Sequence, residues 1–86
     1  MKLTTDTITN ANAASIVVQG EAALRAGDMV IDFTGVVRCD SAAVACVIAW
    51  MRVAQAAGRK LELQALPKDL ISLAKLYNVD ALIEPA

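Results

Sequence analysis

The sequence predicts a small α/β sandwich, with a mostly parallel, mixed sheet of about four strands and about three to four helices. Strand-like segments alternate with helical segments of ten or more residues, and this alternation requires crossover connections that make neighbouring strands parallel. The 86 residues fit one domain of ordinary size, so residues 1–86 are predicted to form a single domain. With 57% hydrophobic residues and only one Trp, one Tyr and one Phe, the core must be mainly aliphatic.

The first elements are predicted to be a short strand and an amphipathic helix. Residues 2–9 are rich in threonine and alternate weakly, which favours a strand. Threonine and asparagine caps at positions 9–12 open a helix that continues to about Ala26 and stops at Gly27. Gly20 on its inner side is expected to let the helix approach the sheet closely. The predicted inner side comprises Ala13, Ile16, Val17, Gly20, Ala23 and Leu24.

The middle of the chain predicts a buried strand, a polar loop and a long helix. Residues 29–33 form an apolar run that is broken only by Asp32, as expected of a central strand covered on both faces. Gly35 ends this strand, and the loop that follows carries Arg38, Cys39, Asp40 and Ser41. The next helix is predicted from Ser41 to position 57, closing at Gly58.

The last third predicts a half-covered strand and a third helix. In residues 60–66 apolar and polar side chains alternate, which is typical of a strand with one well-buried face. Pro67 opens a helix over residues 68–77 that ends at Asn78. Residues 81–84 are expected to add an edge strand. The predicted inward positions of the third helix are Leu70, Leu73, Ala74 and Tyr77, and Tyr77 and Trp50 are both expected to be core aromatics.

The helix that begins at Ser41 is apolar on both of its sides. The inner arc of the helical wheel holds Ala43, Cys46, Val47, Trp50, Val53, Ala54 and Ala57, and the opposite arc holds Ser41, Ala45, Ile48, Arg52 and Gln55, flanked by Val44, Ala49 and Met51. An outward face so poor in charge predicts a protein interface. The alternative is that it reflects only the high helix propensity of alanine and the usual scatter of exposed aliphatic residues.

Asp40 and Ser41 have a structural and a functional interpretation. Both are favoured N-cap residues, so at least one of them is expected to cap the helix. A phosphate on Ser41 would meet the positive end of the helix dipole but also the Asp40 carboxylate. Ser41 is therefore a candidate phosphorylation site as well as a candidate contact residue.

Several classes of function are disfavoured by composition. A net charge of −1 without a basic block argues against nucleic acid as a partner. Histidine is absent, and Cys39 and Cys46 fit neither a zinc pattern nor a redox pair, so we expect no metal, no cofactor and no catalysis. No apolar run is long enough to span a bilayer and no signal peptide is evident, which predicts a cytoplasmic protein without direct membrane insertion.

Two segments resemble the STAS domain family, the anti-anti-sigma-factor-like domains. Residues 30–44, VIDFTGVVRCDSAAV, look like the strand, loop and Asp-Ser/Thr helix start of that family. Residues 61–79, LELQALPKDLISLAKLYNV, resemble the MlaB-like group through the stretch SLAKLYN. The chain departs from the family at Ala43, where a glycine is frequent, and in having only about nine residues before the first helix. The sheet is therefore expected to be one strand short.

The resemblance implies a non-catalytic subunit of a phospholipid-transporting ABC transporter that maintains outer-membrane lipid asymmetry. Such a subunit binds and stabilises the cytoplasmic ATPase subunit in a complex with a permease, which would place it at the inner membrane. Ser41 matches the family position that either contacts the partner or is phosphorylated. The predicted contact set is Asp40, Ser41, Val44, Ala45, Ile48 and Arg52, of which only Asp40 and Ser41 follow from the motif.

The alternative that the resemblance leaves open is an anti-anti-sigma factor. In that case the partner would be a kinase-like anti-sigma factor, and phosphorylation of Ser41 would switch off the binding.

Overall fold

The computed structural model describes residues 1–77 and shows an α/β fold with three helices and four short strands in that part of the chain. The strands are β1 (Thr7–Ile8), β2 (Val30–Asp32), β3 (Arg38–Cys39) and β4 (Glu62–Gln64). The helices are α1 (Ala13–Arg25), α2 (Ser41–Ala56) and α3 (Lys68–Leu76). The order of elements confirms the predicted α/β class. The expected helix end at Asn78 and the edge strand over residues 81–84 lie outside the described residues.

All described strand pairs are parallel, but they form two small sheets instead of one. β2 pairs with β4, with Ile31 opposite Leu63, and β1 pairs with β3, with Ile8 opposite Cys39. The break follows from a turn after β2, where Val36 N–H donates to the Phe33 carbonyl (2.9 Å) and Gly35 adopts a φ of 92°. A positive φ of this kind suits glycine because it has no Cβ.

The predicted N-terminal strand is divided between the two sheets. Residues 1–3 lie beside β2, where Lys2 forms a bridge with Asp32 and Leu3 N–H donates to the Asp32 carbonyl at 3.0 Å. Residues 7–8 form β1 against β3. β2 therefore has the N-terminal segment on one side and β4 on the other, which confirms its predicted central position. Residues 1–9 thus contribute to both sheets.

The segment Arg38–Cys39 was predicted as part of a loop, and this was wrong. These two residues form β3, because Val37 N–H donates to the Asp6 carbonyl (2.8 Å) and Asp40 N–H donates to the Ile8 carbonyl (3.0 Å). A two-residue strand has too little alternation to be visible in a sequence. It matters for function because it fixes the main chain up to the start of α2.

The core includes Trp50 of α2, which is fully buried and contacts α1 and Phe33. Its indole Nε1 donates to the Val17 carbonyl at 3.0 Å, and its ring lies 6.2 Å from that of Phe33 at 57°. Gly20 lies directly against the indole. The close approach predicted for Gly20 is thus real, but it is made to a side chain of α2 and not to the sheet, since α1 packs mainly on α2.

The predicted inner positions of α1 and α3 are buried or half-buried, with Tyr77 as the exception, whereas on α2 Ala57 was predicted inside and is exposed. On α1, Ile16, Gly20 and Leu24 are buried and Ser15 and Gln19 are exposed. On α3, Leu70 and Ala74 are buried, but Tyr77 is 53% exposed, so its prediction as a core aromatic was wrong. Tyr77 follows the last helical residue, where the 100° spacing of a helical wheel no longer fixes the direction of a side chain.

Candidate functional site

The start of α2 is held by Asp40. Its Oδ1 accepts from Ala42 N–H at 2.8 Å, which makes Asp40 the N-cap and satisfies one of the free N–H groups of the first turn. Its Oδ2 lies 3.4 Å from the N–H of Asn10. Capping by one of the two residues, Asp40 and Ser41, is therefore confirmed. The side chain of Ser41 is left free of this role.

A turn that the sequence interpretation did not connect with the site lies beside Asp40. Asn12 Oδ1 accepts from Thr9 N–H at 2.9 Å, and Asn12 Nδ2 donates to the Thr7 carbonyl at 2.8 Å, so Asn12 braces the turn instead of capping α1. The same turn brings Asn10 to Asp40. The cluster of threonine and asparagine at positions 9–12 was the available signal, since these residues favour such local turns.

The outward strip of α2 is exposed to solvent. We call it the Ser41 surface, and it consists of Ser41, Ala45, Ile48, Arg52 and Gln55. Ile48 is half-buried and rests on the core, whereas the other four residues are exposed. The Ser41 hydroxyl makes no hydrogen bond to any described residue. The strip therefore combines one free hydroxyl, one guanidinium and an aliphatic centre.

Val44, which is also in the predicted contact set, does not share this exposure. It is 5% exposed and belongs to the same buried cluster as Leu70 and Ala74 of α3. α3 packs against both α2 and β3 and so contributes to this cluster. Val44 supports the Ser41 surface from below, so a direct contact to a partner would have to come from the remaining residues.

The two cysteines near this site are poor nucleophiles. Burial, together with the carboxylates of Asp69 and Asp40, raises the pKa of the Cys39 thiol to about 11. Burial raises the pKa of Cys46 as well, with a contribution from Asp40. The thiolate is the reactive form, so both groups are protonated near neutral pH and behave as small apolar side chains.

Cys39 is expected to react slowly with thiol reagents in the folded protein. In a Cys46→Ala background, modification of Cys39 by iodoacetamide at pH 8 should be slower than in urea by on the order of tenfold or more, because little thiolate is present. The rate should rise as the pH approaches 11. Equal rates in folded and unfolded protein at pH 8 would contradict the raised pKa.

Removal of the Asp40 cap is expected to destabilise the fold modestly. Asp40→Ala loses the acceptor for Ala42 N–H and should lower the free energy of unfolding by about 1 kcal/mol, as is typical for N-caps. Asp40→Asn keeps an acceptor oxygen and should lose less. Urea denaturation of the three proteins measures this, and equal losses for Ala and Asn would show that the cap bond is not the cause.

Other kinds of site find no support in the described part of the chain. Within residues 1–77 no group of three His, Cys, Asp or Glu side chains is arranged to hold a metal ion. The helices that the structure describes include none long and apolar enough to cross a bilayer.

The fold and the weakly charged Ser41 surface together fit a protein-interaction module. A family model described as "Mlab, STAS domain" matches residues 2–84. The chain therefore belongs to the MlaB-like STAS domain family, as its two motifs predicted. STAS domains are generally non-enzymatic modules for protein interaction. A comparison with curated proteins found no match.

Proposed function

We propose that the protein is a non-catalytic accessory subunit of a phospholipid-transporting ABC transporter. In this proposal it binds and stabilises the cytoplasmic ATPase subunit through the Ser41 loop and α2, in a complex that also contains a permease. The protein would then lie at the inner membrane without inserting into it. Membership of the MlaB-like family supports this role. The observation that carries it is that the Ser41 surface remains accessible although α1 and α3 both pack on α2.

The composition of the Ser41 surface suits a small, specific interface. Protein interfaces are enriched in arginine and depleted of other charges at their centre, and here Arg52 is the one charged residue of the strip. Ile48 is held by the core beneath it, so little side-chain entropy would be lost when a partner covers it. Ala45 leaves room for a side chain of the partner to reach the helix. The expected hot spot is thus Ile48 with Ser41 and Arg52 around it.

The proposal predicts a loss of partner binding when this surface is changed. Ser41→Arg and Ile48→Glu should each weaken co-purification with the ATPase subunit at least tenfold, since a bulky or charged group would be forced into an apolar contact. Ser15→Arg and Val18→Glu introduce the same groups on the exposed side of α1, where Val18 is 62% exposed. These two matched variants should bind like the unmodified protein.

The outcome depends on all four variants being folded, which circular dichroism and thermal unfolding establish. Binding that is unchanged by both Ser41→Arg and Ile48→Glu would contradict the proposal. A phosphate mass shift on Ser41 after incubation with candidate kinases, accompanied by loss of a kinase-like partner, would instead support a partner-switching regulator of the anti-anti-sigma type.

A further inference from the structure

A groove lies between the C-terminal halves of α1 and α2. This open groove has a volume of about 690 Å³, which is within the range of known binding sites. Its lining combines charged and apolar residues, and on the α2 side the apolar part consists of the short side chains of Ala49, Val53 and Ala56. The groove adjoins the Ser41 surface because Arg52 belongs to both.

The charges around this groove differ from those of the whole chain. The protein has four arginines and a net charge of −1, yet three of the four arginines line the groove: Arg25, Arg52 and Arg59. None of the four lysines does, and among residues 1–77 Glu21 is the single acidic residue in the lining. Arginine differs from lysine in presenting a planar fork that binds carboxylates through two parallel hydrogen bonds. The groove is therefore a concentrated site for anion recognition.

Most of the hydrogen-bonding capacity of these arginines is unused. Arg25 makes one long ion pair with Glu21, at 3.9 Å, and its side chain is 66% exposed. Arg59 Nη1 donates to the Gly27 carbonyl at 3.2 Å. Arg52 makes no hydrogen bond or ion pair with any residue in the described range 1–77. Each guanidinium has five N–H donors, so the three together can still bind several acceptor oxygens.

The position of the groove distinguishes between anionic ligands. α1 ends at Arg25 and α2 ends at Ala56, so the groove lies at the negative ends of two helix dipoles. A compact phosphate with several charges is disfavoured near such ends. The same ends also disfavour carboxylates, but less strongly where each carries one charge and pairs directly with an arginine at the rim. Arg25 and Arg59 also complement the helix ends, but Arg52 lies too far from the end of α2 for that explanation.

We propose that this groove binds an extended acidic segment of a partner protein, in which apolar side chains alternate with carboxylates. The carboxylates of the segment pair with Arg25, Arg52 and Arg59. Its apolar side chains lie against the small residues that line the groove on the α2 side. Charge complementarity with an open apolar trough identifies this class of ligand. The inference does not depend on the ATPase subunit being the partner.

The test is a direct binding measurement with defined peptides. The probe is a fluorescein-labelled peptide of twelve residues with alternating Glu and Leu, and its control replaces every Glu by Gln. Fluorescence anisotropy at low salt should show binding of the Glu peptide that weakens as salt is raised, because the pairs are exposed. Nitrogen-15 chemical shifts, accessible for a chain of 9.0 kDa, should change around Ala49, Val53 and Ala56.

Two charge-matched variants locate the site. Arg25→Gln combined with Arg52→Gln and Arg59→Gln should raise the Kd for the Glu peptide tenfold or more. Lys60→Gln combined with Lys68→Gln and Lys75→Gln removes the same charge from exposed positions outside the groove and should change the Kd by less than about threefold. Thermal unfolding of both variants verifies that they are folded.

Four results would overturn the proposal. The first is absence of binding by the Glu peptide, and the second is equal binding of the Gln peptide. The third is an equal loss of affinity in the lysine variant, which would indicate unspecific attraction. The fourth is displacement of the peptide by micromolar pyrophosphate, which would identify a phosphate site instead.

Discussion

Gly20→Ala is expected to destabilise the protein by about 2 kcal/mol. A Cβ at this position would lie 2.8 Å from Trp50 Cζ2 and closer still to Nε1 and Cε2 of the same indole. The indole is held by its bond to the Val17 carbonyl, so it has little freedom to move away. Overpacking of this kind costs about 1–3 kcal/mol and occasionally more, which outweighs the gain of up to about 1 kcal/mol for alanine over glycine in a helix.

Denaturant unfolding and thermal melting measure this effect, and the melting temperature should fall by on the order of 10 °C. A double variant separates the steric cause from other causes. Trp50→Leu removes the atoms that an alanine at position 20 would meet, so Gly20→Ala should cost much less in that background. An equal cost with and without the indole would contradict the steric explanation.

Leu70→Ala is expected to cost about 2–5 kcal/mol and to disturb the site. Leu70 is fully buried, and replacing such a residue by alanine loses transfer free energy and leaves a cavity. α3 packs on α2 and on β3, so the loss should also reach the residues that precede α2. Chemical shifts of Cys39, Asp40 and Ser41 should therefore change, although none of them is substituted.

The neighbouring residue supplies the control for this prediction. Ile71 is on the same helix but 36% exposed. Ile71→Ala should therefore lower the free energy of unfolding by less than about 1 kcal/mol and leave the chemical shifts of Cys39, Asp40 and Ser41 unchanged. Similar costs for the two variants would show that α3 is not anchored through Leu70. Equal disturbance of the Ser41 loop by both would show that it responds to α3 unspecifically.

The helices could be predicted from the sequence because their signals are local. Gly27 and Gly58 follow α1 and α2, and both adopt the positive φ that punctuates a helix end. The periodicity of α1 identified its buried side without knowledge of the elements that pack against it. These features depend on residues that are neighbours in the chain, which is why pattern and structure agree.

The features that could not be predicted depend on contacts between distant residues. β3 exists because residues 37–40 form backbone hydrogen bonds with residues 6–8. The two residues Arg38–Cys39 contain no local pattern that predicts a strand. Val44 is buried in a core to which α3, distant in the sequence, contributes Leu70 and Ala74. The division into two sheets likewise results from a turn at Gly35 whose effect on pairing is not local.

The candidate site itself stays a prediction, although the structure shows where its residues lie. The motif located Asp40 and Ser41, and the structure separates their tasks, with Asp40 as the cap and Ser41 as an exposed residue. The three arginines of the groove are far apart in the sequence and form no motif, so only the packing of α1 on α2 reveals them. Their role in binding remains a prediction.

Each oxygen of the Asp40 carboxylate already accepts a backbone N–H of the same chain. These two bonds fix the orientation of the carboxylate, so an approaching protein could use only the acceptor positions that they leave open. In the proposed interface, polar recognition at this end of the helix would therefore depend mainly on the hydroxyl of Ser41. In that interface the negative charge of Asp40 would disfavour acidic partner surfaces, and so would affect the choice of partner more than the affinity.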